Sequence, residues 1–205
     1  AALATVLFGA TILVSGPVSG LDIRAGDYLA ARHAGAIGDH ANAAAYYDAV
    51  IAVDPNNENL LYMATLFFLA DGQVERAIEL SERLAGQDDK NGTAVLLAAV
   101  GAAKRGDFSR ATALSIDVPE SGLNRLLAPM VQAWTLVGEG RVDAGMEALG
   151  KLGSNLQYAP FELYMSALIH RFTGDSESAD AAFQAALEFG AGSRQVEALP
   201  IRSAQ

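Results

Sequence analysis

Glycine recurs along this sequence at one fixed interval. Gly38, Gly72, Gly106, Gly140 and Gly174 follow one another 34 residues apart. A period of this length is typical of solenoids built from pairs of α-helices, in which each repeat packs only on its neighbours. The interval therefore predicts an elongated array of five repeats.

Two further columns of residues keep the same register. Two antiparallel helices approach closely where their facing side chains are small, and glycine permits the sharp turn that joins them. Small residues stand five positions after each glycine and seven positions before it. They are Ala43, Ala77, Ala111, Gly145 and Ala179 after the glycine, and Ala31, Thr65, Ala99, Ala133 and Ala167 before it. The columns predict a helix on each side of every turn.

This pattern resembles the tetratricopeptide-repeat family, and the stretch AVDPNN at 52–57 is similar to the usual end of a repeat in that family. The resemblance implies an all-α, right-handed α-solenoid of about five helix-turn-helix repeats that forms a single domain over 24–193. The repeats are expected at about 24–57, 58–91, 92–125, 126–159 and 160–193. Residues 194–205 would then be a capping helix or the cut end of a longer protein.

The two helices of a repeat differ in polarity. In repeat two the segment NLLYMATLFFLA is apolar on nearly every face, whereas VERAIELSERLAG alternates apolar and charged residues. The first helix of each pair is therefore expected inside and the second outside. Proline modifies the later repeats: Pro119 shortens the second helix of repeat three, Pro129 falls within the first helix of repeat four, and Pro160 suits a first helical turn.

Residues 1–20 carry no charge, and their apolar run ends before Gly16 and Pro17. This composition favours the hydrophobic and cleavage regions of a secretory signal peptide. An uncleaved membrane anchor and a folded cap on the first repeat are the alternatives. Either of the first two implies export, so a periplasmic or secreted protein of the bacterial envelope is expected, in line with the resembled exported proteins.

The composition argues against several classes of function. The chain has 14 Lys and Arg against 24 Asp and Glu, a net charge of −10, so nucleic acid is excluded as a partner and a membrane could be reached only through the N-terminal segment. Cysteine is absent, which excludes a thiol nucleophile and a zinc ribbon.

Ionisable residues do not form a motif for chemistry. His33, His40 and His170 stand apart with no ligand companion at helical spacing, and Asp88–Asp89 is interpreted as a polar turn between repeats rather than a cation loop. No phosphate loop or nucleophile motif is present. The chain is therefore predicted not to be an enzyme and to need no metal, cofactor or small-molecule substrate.

One stripe on the first helices stands out. Positions ten, six and three residues before each glycine share a helix face, and in the resembled family these places line the concave groove. Here they are mostly aromatic or aliphatic: Tyr28, Arg32 and Gly35; Tyr62, Leu66 and Leu69; Leu96, Val100 and Ala103; Met130, Trp134 and Val137; Tyr164, Leu168 and Arg171. The Lys and Asn set with which some family members grip a C-terminal carboxylate is missing.

The stripe predicts a groove that binds an apolar or amphipathic segment of a partner protein, because exposed apolar surface of this length marks interaction sites. Tyr62, Trp134 and Tyr164 would be anchors, and Arg32 and Arg171 would pair with acidic residues of the ligand. The alternative is that the stripe is core, filled from within the chain. A scaffold or adaptor is thus the leading prediction. A regulatory or substrate-presenting module of an enzyme complex and a self-associating structural protein are the rivals.

Overall fold

The computed structural model describes the backbone of residues 20–86, 91–119 and 121–197, and the side chains of 25–86, 91–119 and 121–189. Residues 1–19 of the predicted signal peptide and the Asp88–Asp89 turn lie outside the described residues, and Gly20 is the first residue of the first helix. The described chain is all-α. Its helices are α1 (Gly20–Ala36), α2 (His40–Val53), α3 (Glu58–Ala70), α4 (Val74–Ala85), α5 (Gly92–Lys104), α6 (Phe108–Ile116), α7 (Asn124–Gly138), α8 (Val142–Gly150), α9 (Ala159–Thr173) and α10 (Ser176–Glu197).

Each of the five recurring glycines lies in the turn between the two helices of a pair. Their φ angles are between 78° and 89°, in the left-handed region that favours glycine. The residue after each glycine donates its N–H to the carbonyl four residues before the glycine, as in Asp39 to Ala34 at 2.9 Å and Asp175 to His170 at 2.9 Å. This bond closes a Schellman motif, which satisfies carbonyls at the end of the first helix. The glycine register therefore marks five equivalent turns.

The small-residue columns form the contact between the two helices of a pair. The alanines and the threonine of both columns are at most 2% exposed. In repeat four the contact is tight enough to need glycine: a Cβ at Gly145 of α8 would lie 2.8 Å from the carbonyl oxygen of Ala133 on α7. The predicted role of these columns is confirmed.

The hydrophobic core runs along the array as successive clusters of buried residues. One cluster joins the first two repeats to α5 through residues such as Tyr47, Leu61 and Leu80. Another surrounds Leu96 between repeats three and four. A third, which includes Ile169, joins repeats four and five. Because each cluster joins neighbouring repeats, the described chain is an α-solenoid of five helical pairs, as predicted.

The prolines lie at the positions relative to the helices that the sequence predicted. Helix α6 ends at Ile116, shortly before Pro119, and Pro160 lies in the first turn of α9. Pro129 lies inside α7, which stays one helix although proline cannot donate a hydrogen bond to the Arg125 carbonyl. A 3₁₀ helix, Lys151–Ser154, follows α8.

The end of the fifth repeat differs from the expected boundary at 193. Helix α10 runs without a break to Glu197, so residues 194–197 continue α10 and do not begin a separate capping helix. None of the helices in the described residues is long and apolar enough to cross a membrane.

Candidate functional site

The predicted stripe lies on α1, α3, α5, α7 and α9, but its residues differ in exposure. Leu69, Val100 and Tyr164 are 40–49% exposed. Leu96 and Val137 are at most 5% exposed. Leu96 is therefore a core residue rather than a groove residue, because it packs in a cluster with Val95, Val118 and Ala128. Tyr28 and Arg32 are exposed, Arg171 is exposed, and Tyr62, Leu66, Met130, Trp134 and Leu168 are half-buried.

An apolar cleft opens where the first helices of repeats three, four and five meet. Its volume is about 480 Å³. Five residues of the predicted stripe meet in it, namely Val100, Ala103, Met130, Trp134 and Val137. The other lining residues are Phe108, Leu127, Val131, Thr135, Gly138 and Phe172. The cleft does not include Tyr28, Arg32, Tyr62, Leu66, Leu69, Leu96, Tyr164, Leu168 or Arg171.

Aromatic rings form the walls of the cleft. Trp134 of α7 meets Phe172 of α9 edge to face, with ring centroids 5.9 Å apart and an interplanar angle of 75°. Phe172 is 69% exposed, so it borders the opening. Phe108, the first residue of α6, lies against Gly138, where a Cβ would come within 2.2 Å of the Phe108 ring. Glycine at 138 therefore lets that ring pack directly on α7.

The lining offers few polar groups. Thr135 and Trp134 carry its only polar side-chain atoms, and the Thr135 hydroxyl donates to the Gln132 carbonyl at 2.9 Å. No charged side chain lines the cleft among the described residues. Such a site holds apolar groups and cannot neutralise a charged ligand.

Polar residues border the cleft on the side of the turns. Phe108 and Gly138 also line an adjoining depression with Asp107, Glu139 and Arg141. The Arg141 guanidinium lies 3.2 Å from the Glu139 carboxylate. An apolar centre with a polar rim is the usual anatomy of a protein-binding surface.

Outside the cleft, several predicted site residues are held within their own repeats. Arg171 lies 3.1 Å from the Asp180 carboxylate, and the Arg32 guanidinium lies 6.0 Å from the centre of the Tyr28 ring. The predicted pairing of both arginines with a ligand would have to compete with these contacts.

Three of the cleft residues that the stripe missed follow the same register. Phe172 and Gly138 both stand two residues before a turn glycine, and Phe108 stands two residues after one. The stripe was three positions wide, and counting these two further columns would have found all three residues.

No three His, Asp or Glu side chains in the described part of the chain are grouped so as to hold a metal ion. The His170 Nδ1 lies 3.3 Å from the Asp175 carboxylate at the end of α9, and the His40 ring centroid lies 6.2 Å from that of Phe67. Hydrogen bonds from Ser178, together with the nearby His170, lower the pKa of Asp175. These contacts tie helix ends together.

The comparison with known proteins agrees with this architecture. The sequence model of the tetratricopeptide-repeat family matches residues 163–189, within repeat five. No curated protein sequence matches the chain.

Solved structures match most of the chain's length. A crystal structure of MamA protein superposes with a TM-score of 0.65 at 18% identity, covering 90% of this chain and 98% of that one. MamA from Desulfovibrio magneticus RS-1 gives 0.62 at 14% identity, covering 83% and 97%. YrrB, described as a TPR protein with an unusual peptide-binding site, gives 0.60 at 16% identity, covering 78% and 82%. At these identities the likeness shows the fold.

Five equivalent helical pairs, the match in repeat five and these structural neighbours together define the class. The described chain has the α-solenoid fold of tetratricopeptide-repeat proteins, and its fifth repeat matches the sequence model of that repeat.

Proposed function

We propose that this chain is a non-enzymatic scaffold or adaptor of the bacterial cell envelope, and that it binds an apolar or amphipathic segment of a partner protein. The observation that carries the proposal is the cleft of about 480 Å³ between repeats three, four and five. A volume of this size accommodates several large side chains. YrrB, which shares the fold, is described as having a peptide-binding site, and this supports peptide binding as the role of the cleft here.

The polarity of the cleft favours a helical ligand. An extended peptide would bring its own N–H and C=O groups against an apolar lining, where the Thr135 hydroxyl already has a partner. Each backbone group buried without a hydrogen bond costs about 1 to 3 kcal/mol. An α-helix satisfies its backbone internally, so it can insert apolar side chains from one face without that cost.

The envelope location rests on the sequence of residues 1–20. Their uncharged, apolar composition followed by small residues supports a secretory signal. The location proposed is the periplasm or the exterior of the cell, with membrane contact only through that segment if it is retained.

Photo-crosslinking tests the proposed site. A photoreactive amino acid replaces Trp134 in the full chain, and in a matched variant it replaces Leu156, which is 76% exposed and away from the cleft. The expected result is one discrete adduct to an envelope protein at position 134 and none of the same mass at 156. The crosslinked peptide should carry apolar residues at helical spacing.

Two results would count against the proposal. Equal adducts from both positions would show that labelling is unspecific. An adduct at position 134 that joins the chain to itself within one molecule would show that the cleft is filled from within.

A further inference from the structure

The outward side of α10 is less buried at two positions than the equivalent surface of repeat one. Nine residues after the turn glycine, repeats one to four carry Tyr47, Ser81, Ser115 and Leu149, all at most 2% exposed. The equivalent residue of repeat five is Phe183, which is half-buried. Four residues further on, Leu187 is 63% exposed, whereas its equivalent Ile51 in repeat one is 2% exposed.

The inner positions are buried because the first helix of the next repeat covers them. The Tyr47 ring stacks on Phe67 of α3, with centroids 5.4 Å apart and an interplanar angle of 12°. It also meets Tyr28 of its own repeat at 6.4 Å. Phe183 keeps the matching contact within its repeat, to Tyr164 at 5.8 Å. In the described part of the chain no helix follows α10 to supply the second ring.

The opposite end of the array exposes the complementary positions. Leu29 on α1 and Ile37 in the turn after it are 63% and 65% exposed, and His33 between them is also exposed. One repeat later, Met63 stands where Leu29 stands and Phe67 where His33 stands. Met63 and Phe67 pack against the cluster formed with repeat one. Helix α1 therefore presents the surface with which α3 covers its predecessor.

We propose that two copies of this chain associate head to tail, with the head face of one copy (Leu29, His33, Ile37) on the tail face of another (Phe183, Leu187). The occupant follows from the molecule itself, because these faces are the two halves of an interface that the chain already makes between its neighbouring repeats. In the stack, His33 takes the place of Phe67 over the Phe183 ring, and Leu187 packs beside Leu29.

The two faces differ, so the contact is heterologous and each added copy leaves one face free at either end. Such contacts build open chains of copies rather than closed dimers. The head and tail faces do not include the residues that line the cleft of repeats three to five. The association could therefore occur whether or not the cleft binds a partner.

Sedimentation of the full chain tests the association. The weight-average mass of the unaltered protein should rise with concentration to at least about twice that of the monomer. Leu29→Glu blocks the head face and Leu187→Glu blocks the tail face, so each variant alone should remain monomeric, with association weakened about tenfold or more. The control Leu156→Glu, an exposed leucine on neither face, should associate like the unaltered protein.

A mixture of the two variants gives the sharpest outcome. Leu29→Glu keeps a tail face and Leu187→Glu keeps a head face, so equal amounts should form a dimer and nothing larger. A monomer at every concentration would overturn the proposal, since the end faces would then be covered within one chain. Association of Leu29→Glu alone would overturn it in favour of a tail-to-tail contact.

Discussion

Single residues decide how closely the helices of a pair approach. The column five residues after the turn glycine is alanine in four repeats and glycine at 145. There a Cβ would lie 2.8 Å from the Ala133 carbonyl oxygen and 2.9 Å from a Val137 methyl. Since the first of these neighbours is backbone, the helices would have to move apart to admit even one methyl group.

Gly145→Ala should therefore destabilise the protein, although alanine is the better helix former. The expected loss is about 1 to 3 kcal/mol in the free energy of unfolding, from overpacking. The matched control is Gly150→Ala at the end of the same helix, where a Cβ meets nothing within 4 Å. The control should be neutral or stabilise by up to about 1 kcal/mol. Urea unfolding measures both, and equal effects would contradict the close contact between α7 and α8.

At the scale of the element, three of the second helices begin with a capping aspartate directly after the turn glycine. The Asp39, Asp107 and Asp175 carboxylates accept the backbone N–H of the residue three positions on, at 3.1 to 3.2 Å. Gln73 and Arg141 hold this place before α4 and α8 and make no such side-chain bond. The capped helices thus gain a bond that the other two lack.

These caps predict a dependence of stability on pH. Hydrogen bonds from Asn42 lower the pKa of Asp39, and those from Ser178 lower the pKa of Asp175. A carboxyl with a lowered pKa in the folded state stabilises fully above its unfolded pKa of about 3.9, and this stabilisation is lost as pH falls through the folded pKa. The urea midpoint should therefore fall as the pH drops from about 5 through the folded pKa values, which lie below the ordinary pKa of aspartate.

The variant Asp39→Asn with Asp175→Asn isolates this contribution. Asparagine keeps a capping oxygen but does not titrate, so the acid fall of the urea midpoint should be smaller in the double variant. An identical fall in both proteins would show that other carboxyl groups cause it.

The elements themselves could largely be predicted from the sequence. The turn glycines and the columns of small residues indicate where the helices of each pair meet. A turn and a close helix contact each depend on residues near in sequence, and the pattern repeats five times. The length of α10 could not, since the 34-residue register ends repeat five at 193, whereas the helix continues through Gly190 and Gly192 to Glu197. Glycine inside a helix costs only about 1 kcal/mol, and no proline follows before Pro200 to block the helix.

At the scale of the whole molecule, the sequence predicted which helices carry the stripe but not how deeply each stripe residue is buried. Leu96 and Val100 occupy one face of α5, yet they are 3% and 40% exposed. The difference arises from how neighbouring repeats cover each helix, which no single repeat encodes. The cleft likewise combines Phe108, Gly138 and Phe172 from three repeats, so it exists only once the repeats have stacked.

The central claim is that this cleft is a binding surface rather than part of the core. Alanine variants of two cleft residues and one core residue distinguish a binding surface from core. Trp134 is half-buried and Phe172 is 69% exposed, whereas Leu136 on α7 is 5% exposed. The measurement is the affinity of each alanine variant for the crosslinked partner segment, taken together with its free energy of unfolding in urea.

Trp134→Ala and Phe172→Ala should each weaken binding by about 2 kcal/mol or more, as the loss of anchor residues does. Phe172→Ala should change the free energy of unfolding by about 0.5 kcal/mol or less, since its ring is mostly in water. Leu136→Ala should do the reverse, costing about 2 to 5 kcal/mol of stability through a core cavity while the folded protein keeps its affinity. If instead both cleft variants unfold as readily as Leu136→Ala and bind like the unaltered protein, the cleft is core and the account is wrong.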